Sequence, residues 1–307
     1  MDFKAIRERL TGEAYASNRK ARAWDFTKTT ALFVGMCLVA VVLMFPYLFM
    51  VFKSLMSETE ILDPNPHFFP DWTNLQWNNF VLLFTDASSG YSYGLALLHT
   101  LIIIAFNVVA IPLSATFIAF SFAKLKWKGR NICFAIMMLT MTLPGVVTQI
   151  PLYVIYAKIG WLNTLYPFTI PNLFGGGALY IFLIRQYMFG IPNELSDAAK
   201  IDGCGPFRIY WSIILPNCKS ILIYIIISVF NSYWGDYYGP LLYMTSTDAP
   251  YTFAYALFRS TVEGLASSQW AAVRMAGGVF MTLFPTILFI VFQEKLTDGA
   301  LTSGIKG

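Results

Sequence analysis

The sequence predicts an all-α polytopic membrane protein, with six transmembrane helices and a patterned cytoplasmic loop between spans four and five. Three observations predict it. Of 307 residues, 57% are hydrophobic and only 12% charged. A soluble domain carries about 25% charged residues, so most of this exterior must face lipid. Charge-free apolar runs of about 20 residues, enough to cross about 30 Å of hydrocarbon, recur along the chain. Lysine and arginine gather in alternate connections between those runs. The 17% of aromatic residues suits anchoring at the membrane interface.

The elements follow in order. Residues 1–28 are polar and basic and read as a cytoplasmic segment. The next run, Thr29 to Phe52 with Pro46 near its end, is too long for the apolar core of a signal peptide and reads as a retained first span. It opens a transmembrane region covering 29–293. A large outer loop, 54–92, carries Glu58, Glu60, Asp63, Asp71 and Asp86 with Trp72 and Trp77, and is expected to pack as a small lid. Span two lies within Ala87 to Ala123, and span three within Asn131 to Ala157. Span four lies within Ile159 to Ile184, where Pro167, Pro171 and Gly175 to Gly177 predict a late start or a bend. Span five runs from Pro216 to about Leu242, and span six from about Trp270 to Gln293. Residues 294–307 form a cytoplasmic tail.

Orientation follows from the basic residues. Lys4, Arg7, Arg9, Arg19, Lys20, Arg22 and Lys28 precede span one. Lys124, Lys126, Lys128 and Arg130 follow span two, Arg185, Lys200, Arg208 and Lys219 follow span four, and Lys295 and Lys306 follow span six. The opposite side holds Lys53, Lys158 and Arg259. Both termini are therefore expected in the cytoplasm. The net charge of +4 is small and forms no single stripe, which argues against nucleic-acid binding. Cys37, Cys133, Cys204 and Cys218 form no C-x-x-C pair and read as reduced structural thiols.

The loop IPNELSDAAKIDGCGPFRIYWSIILP, residues 191–216, is longer and better patterned than a connector. Pro192 suits the first turn of a helix. Ile191, Leu195, Ala198 and Ala199 then share one face at helical spacing. Gly203 and Gly205-Pro206 break that helix. A second helix is expected with Phe207, Tyr210, Trp211 and Ile214 on one stripe. The pattern leaves two readings open: a pair of amphipathic helices lying on the membrane, or a projection that fits a cleft in a cytoplasmic partner.

These residues resemble the loop of ABC-importer permeases written EAA-x3-G-x9-I-x-L-P. Asp197, Ala198, Ala199, Gly203, Ile213, Leu215 and Pro216 fall at that spacing, with Asp202 before Gly203 as in the common form. Asp197 replaces the usual Glu, Cys204 a usual Ala, and Ser220 a frequent Pro. Phe182 to Gln186, the Trp234-Gly235-Asp236-Tyr237 stretch with Pro240-Leu241, and the ending FQEKLTDGALTSGIKG are similar to the carbohydrate-uptake branch, like the smaller maltose-type subunit. The resemblance covers span two to the C-terminus. It implies that the loop is a coupling-helix pair docked on a separate ATP-binding subunit dimer through Asp197, Ala198, Ala199, Asp202, Gly203, Phe207, Ile213, Leu215 and Pro216. It also implies a homologous second permease subunit, favouring a heterodimer, and an extracytoplasmic solute-binding protein, in a bacterial or archaeal cytoplasmic membrane. In some members the tail reaches the ATPase interface, here Gly299 to Gly307.

The chain has no G-x-x-x-x-G-K-[ST], no H-E-x-x-H and no Cys/His metal spacing. It is expected to bind no cofactor itself, with ATP and magnesium on the partner ATPase. Other solute classes, an ion-coupled transporter and a membrane scaffold are the alternatives, and buried mid-span acids, which an ion-coupled carrier wants, are not evident. Trp234, Asp236 and Arg274 are candidates for the outer mouth of a pathway. Both charges fall near the outer interface, so an ion pair or snorkelling is the competing reading for them. Gly175 to Gly177 could line a pathway, permit close packing or mark an irregular helix start. His67 and His99 read as structural, and Trp127, Trp161, Trp211 and Trp270 as belt anchors, with sugar stacking the lesser alternative.

Overall fold

A computed structural model describes the backbone of residues 3–304 except 66, 86–91 and 263–269, and side chains within 28–293 with the same exceptions. The charges before Lys28, Asp86 and the tail Gly299 to Gly307 lie outside the described side chains. Every regular element among the described residues is helical. In chain order these are α1 (Phe3–Ser54), α2 (Glu58–Ile61), α3 (Asn78–Thr85), α4 (Tyr93–Ala123), α5 (Arg130–Thr140) and α6 (Gly145–Lys158). Two 3-10 turns, Tyr166–Phe168 and Ile170–Phe174, precede α7 (Ala178–Phe189) and α8 (Asn193–Ile201). Then come α9 (Pro206–Ile209), a π-helical turn (Tyr210–Ile214), α10 (Leu215–Asn217), α11 (Lys219–Trp234), α12 (Tyr238–Tyr243), α13 (Phe253–Val262) and α14 (Trp270–Gly304).

Four segments are long and apolar enough to cross a membrane: Lys28–Ser54, Tyr93–Ala123, Tyr166–Phe189 and Trp270–Gln293. Two bent pairs, Arg130–Thr140 with Gly145–Lys158 at 97° and Pro206–Asn217 with Lys219–Trp234 at 77°, raise the number to six if each is one span. Span three is thus broken rather than continuous. Pro144 sits at the N-cap of α6, where it ends the preceding helix by removing a donor and restricting Leu143. Span five stops at Trp234 instead of reaching Leu242, because Asp236 draws the chain into a turn before α12. The separate helix α13 was not foreseen, its ten residues being too short to stand out beside the spans.

Helix α4 is the hub, packed against α7, α11 and α13. Its buried stripe is Ala96, Thr100, Ile103, Asn107, Ile111, Ala115 and Ala119, one face at three- and four-residue steps. Ala115 and Ala119 are fully buried and let neighbouring backbones come close. Helix α1 lies along α14, where a Cβ on Gly278 would come within 2.5 Å of Met50 Sδ. Yet the most apolar stretch of α1 has no buried residue, so that face is left for lipid or for another subunit.

The described part of the segment after α1 is tied together by short hydrogen bonds. Asn79 is buried and donates to Ser54 O at 2.8 Å and Met56 O at 3.1 Å. Ser57 and Glu60 form a reciprocal capping box at α2. Glu60 also accepts from Asp71 N at 2.7 Å. Partial burial pushes the Glu60 carboxyl up, but the bonds from Ser57 and Asp71 outweigh it and hold it below its usual range. Phe68 packs against Phe45, Phe49 and Phe52, joining the segment to α1. His67 lies 3.2 Å from Asp63, and His99 Nδ1 is 3.1 Å from Tyr251 O. The first contact is local, and the second joins α4 to the segment before α13.

Span four departs most from a simple helix. Residues 166–177 run as 3-10 turns and a glycine run, and α7 starts only at Ala178, the late start that Pro167 and Pro171 predict. Gly176 has φ of +63°, and a Cβ there would meet Ile111 Cγ2 at 2.6 Å. Close packing on α4, with a left-handed backbone, accounts for this glycine. Gly176→Ala is expected to cost about 1–3 kcal/mol through strain and overpacking. A fall of several degrees in the thermal unfolding midpoint of the detergent-solubilised chain checks this, and an unchanged midpoint contradicts it.

Candidate docking site

The 191–216 loop is two helical pieces hinged at Gly203. Pro192 is the N-cap of α8 rather than a residue of its first turn, one position earlier than the sequence pattern places it. Helix α8 stops in a Schellman motif: Cys204 N donates to Ala199 O at 2.9 Å and Gly203 N to Lys200 O at 3.0 Å. Gly203 is the left-handed residue, with φ of +79°, and a Cβ built on it meets nothing within 4 Å. The glycine is therefore needed for backbone conformation, and any side chain there would point into open space. Asp202 is the C-cap, and its N–H bonds to Ala198 O.

The face that α8 buries differs from the sequence expectation. Ser196 and Ala199 are buried, and so is Ile191 just before the helix, whereas Leu195 and Ala198 are exposed. Ile201 is 88% exposed, the largest departure from what an isoleucine in a packed monomer does. The second helix also turns away from the predicted stripe. Tyr210 and Ile214 are buried, but Phe207 is 67% and Trp211 54% exposed. The π-helical turn explains this. It widens the repeat, so Ile209, Tyr210 and Ile214 face inward together and Trp211 swings out. Ile213 and Leu215 are half-buried against the main core, and Pro216 lies in α10 at the kink.

Three contacts fasten the inner side of the loop. Lys124 Nζ donates to Ile191 O at 2.7 Å and to Asn193 Oδ1 at 2.9 Å. The Tyr210 hydroxyl lies 2.9 Å from Thr116 Oγ1, and its ring packs against Phe117 and Phe120. All of these partners belong to α4 or its C-cap. The sequence pattern missed Lys124 and Thr116, since no spacing rule joins residues so far apart in the chain. Asp197 pairs with Lys200 at 2.7 Å, both exposed. The Lys200 hydrogen bond and charge, with a weaker pull from Lys126, hold the Asp197 carboxyl below its usual range.

The other candidates are not brought to this loop. Trp234 is buried, stacks on Phe230, packs against Phe284, and donates its indole N–H to Met281 O at 2.7 Å. It fastens α11 to α14. Asp236 Oδ1 accepts from Gly239 N at 2.9 Å, a local turn bond. Arg274 reaches Ser260 O at 3.5 Å. Among the described residues neither charge has an ion-pair partner. Cys218 is buried at the kink and Cys204 is half-buried, while Cys37 and Cys133 are exposed. No group of three or more His, Cys, Asp or Glu is placed to hold a metal among the described residues.

This arrangement was compared with known proteins. Residues 112–298 match the family described as binding-protein-dependent transport system inner membrane component. The arabinooligosaccharides transport system permease protein AraQ of Halalkalibacterium halodurans is 28% identical over 279 residues, 90% of this chain and 96% of the relative. The sn-glycerol-3-phosphate transport system permease protein UgpE of Yersinia enterocolitica is 26% identical, over 89% of this chain and 94% of the relative. Among solved structures, a bacterial ABC transporter involved in the import of the acidic polysaccharide alginate superposes with a TM-score of 0.71 at 18% identity. That match covers 88% of this chain and 95% of the other. With its helical fold and several membrane-length apolar segments, the chain belongs to the family of inner membrane components of binding-protein-dependent transport systems.

Proposed function

We propose that this permease subunit forms one half of the membrane pathway of an ATP-driven importer for a sugar, oligosaccharide or related polar solute. The observation that carries the reading is the outward apolar set Leu195, Ala198, Ile201, Phe207 and Trp211, on a loop whose inner side is locked to α4. A helix fixed on one side and apolar on the other fits a groove in a partner. The partner is a separate ATP-binding subunit, on which ATP and magnesium sit. Each bent helix pair is one of six spans, and the basic ends of the spans face the cytoplasm with both termini. A homologous second permease completes the pathway, and a solute-binding protein delivers cargo from outside. The names of AraQ and of the alginate transporter support a saccharide, and UgpE supports a neighbouring class of polar solute.

In this reading, closure of the ATPase dimer draws α8 of each permease inward. Lys124, bonded to Ile191 and Asn193, and Tyr210, bonded to Thr116, pass that displacement to α4. The hub helix then moves the elements packed on it.

Gly203→Asp is expected to abolish co-purification of the ATPase subunit, because the added carboxylate points into the open side. The left-handed backbone at Gly203 strains any side chain placed there, so the thermal midpoint should fall by the few degrees that about 1 kcal/mol gives, with the chain still folded. Ile201→Glu is expected to weaken association at least tenfold, as burying an unpaired charge costs well over about 1.4 kcal/mol. Normal ATPase co-purification with either folded variant overturns the docking assignment. For the transport reading itself, vesicles containing the full assembly and binding protein should take up labelled oligosaccharide only with ATP inside the ATPase-facing compartment. Uptake driven by an ion gradient without ATP contradicts it.

A further inference from the structure

We propose that the loop joining α4 to α5 binds the phosphate of an anionic phospholipid headgroup. The stretch 124–131, KLKWKGRN, holds Lys124, Lys126, Lys128 and Arg130 and no acid. Lys124 is committed inward, to Ile191 O and Asn193. Lys126 and Lys128 are exposed, and neither they nor Arg130 form an ion pair among the described residues. Asp197 lies close enough to Lys126 to feel its charge, but it is already paired with Lys200. Lys126 and Arg130 thus meet at one spot, with Lys128 beside them in the loop, and none of the three has an ion-pair partner among the described residues. A cavity of about 310 Å³ lies there, lined by Lys126, Trp127, Gly129, Arg130, Asn131 and Ile132.

The surroundings favour a lipid over a soluble anion or an acidic protein. The loop connects the ends of two apolar helices, which sets it at headgroup depth. Trp127 donates its indole N–H to Ser121 O at 3.2 Å and packs on Phe122 with ring centres 5.7 Å apart, so it lies along the end of α4 as an interfacial tryptophan does. Below the cations the wall becomes apolar. Ile132 lines the cavity, and Ile136 follows one turn later on the same face of α5, both exposed. Cations above and an apolar track below match a phosphate ester carrying acyl chains. Basic pockets beside transmembrane helices bind such headgroups for this reason. The inference goes beyond the transport reading and uses only the entry of α4 and α5 into the bilayer, not the solute or the ATPase.

The test uses the full chain in its assembled transporter, delipidated in detergent. It is titrated with dioleoyl phosphatidylglycerol or with dioleoyl phosphatidylcholine, and bound lipid is counted by native mass spectrometry. The expected result is a saturable phosphatidylglycerol adduct with no phosphatidylcholine equivalent. Its affinity should fall roughly 25-fold in K126Q/K128Q, at about fivefold per cation, and recover in K126R/K128R. It should weaken with added salt. Equal affinity in the glutamine variant, or equal binding of phosphatidylcholine, overturns the proposal. Displacement by inorganic phosphate at the lipid's own concentration assigns a free-phosphate site instead and overturns the headgroup. Loss of the ATPase subunit from K126Q/K128Q, with lipid retention unchanged, reassigns the cations to that protein and likewise overturns it.

Discussion

Backbone groups placed in hydrocarbon have no water to bond, so a broken helix there survives only where neighbouring side chains supply the missing partners. Residues 166–177 form such a break, and α4 supplies much of the repair. Asn107 Nδ2 donates to Phe168 O at 2.8 Å, and Ser114 Oγ accepts from Gly175 N at 3.1 Å. From within the break, Asn172 bonds Phe168 O and the Tyr233 hydroxyl of α11. A buried polar side chain in a membrane bundle is costly unless paired, and the amide N–H groups of buried Asn107 are spent on Ile103 O and on Phe168 O of the break. The glycine at 176 follows from the same constraint, since the break must approach Ile111 of α4 more closely than a Cβ would allow.

The 191–216 loop draws on the same helix. Thr116 lies about two and a half turns beyond Asn107 on α4 and Lys124, its C-cap, nearly five turns beyond, and they hold Tyr210 and the start of α8. One rigid element therefore carries both the repair of span four and the anchorage of the loop. That continuity is a physical route by which a displacement at α8 reaches the interior of the bundle. The π-helical turn strengthens the arrangement, because it lets Tyr210 and Ile214 face inward together while Phe207 and Trp211 stay outside.

The late charged and aromatic residues fit a more local role. Trp234 uses its one donor on Met281 O, and Asp236 closes the turn into α12. Gly277 and Gly278 bring α14 against Leu257 of α13 and Met50 of α1. Among the described residues, turn bonds and close packing thus join these elements at the end of the bundle near α12 and α13.

Composition, run length and the spacing around Gly203 were enough to read a helical membrane protein, its apolar segments and the helix break at Gly203 in the 191–216 loop. These features are local: hydropathy decides where a segment can lie, and a glycine's left-handed backbone stops a helix whatever surrounds it. The late start of α7 was legible for the same reason, in Pro167, Pro171 and the glycine run. The bends at Pro144 and Cys218, the early end of α11, helix α13 and the outward turn of Leu195, Ile201, Phe207 and Trp211 were not. A stripe of apolar residues shows that one face is apolar, but not whether this chain or another covers it. That choice was made by α4. Its Thr116 and Lys124 took the inner side of the loop and left the other apolar side open, and only the folded chain brings residues so distant in sequence within hydrogen-bond reach.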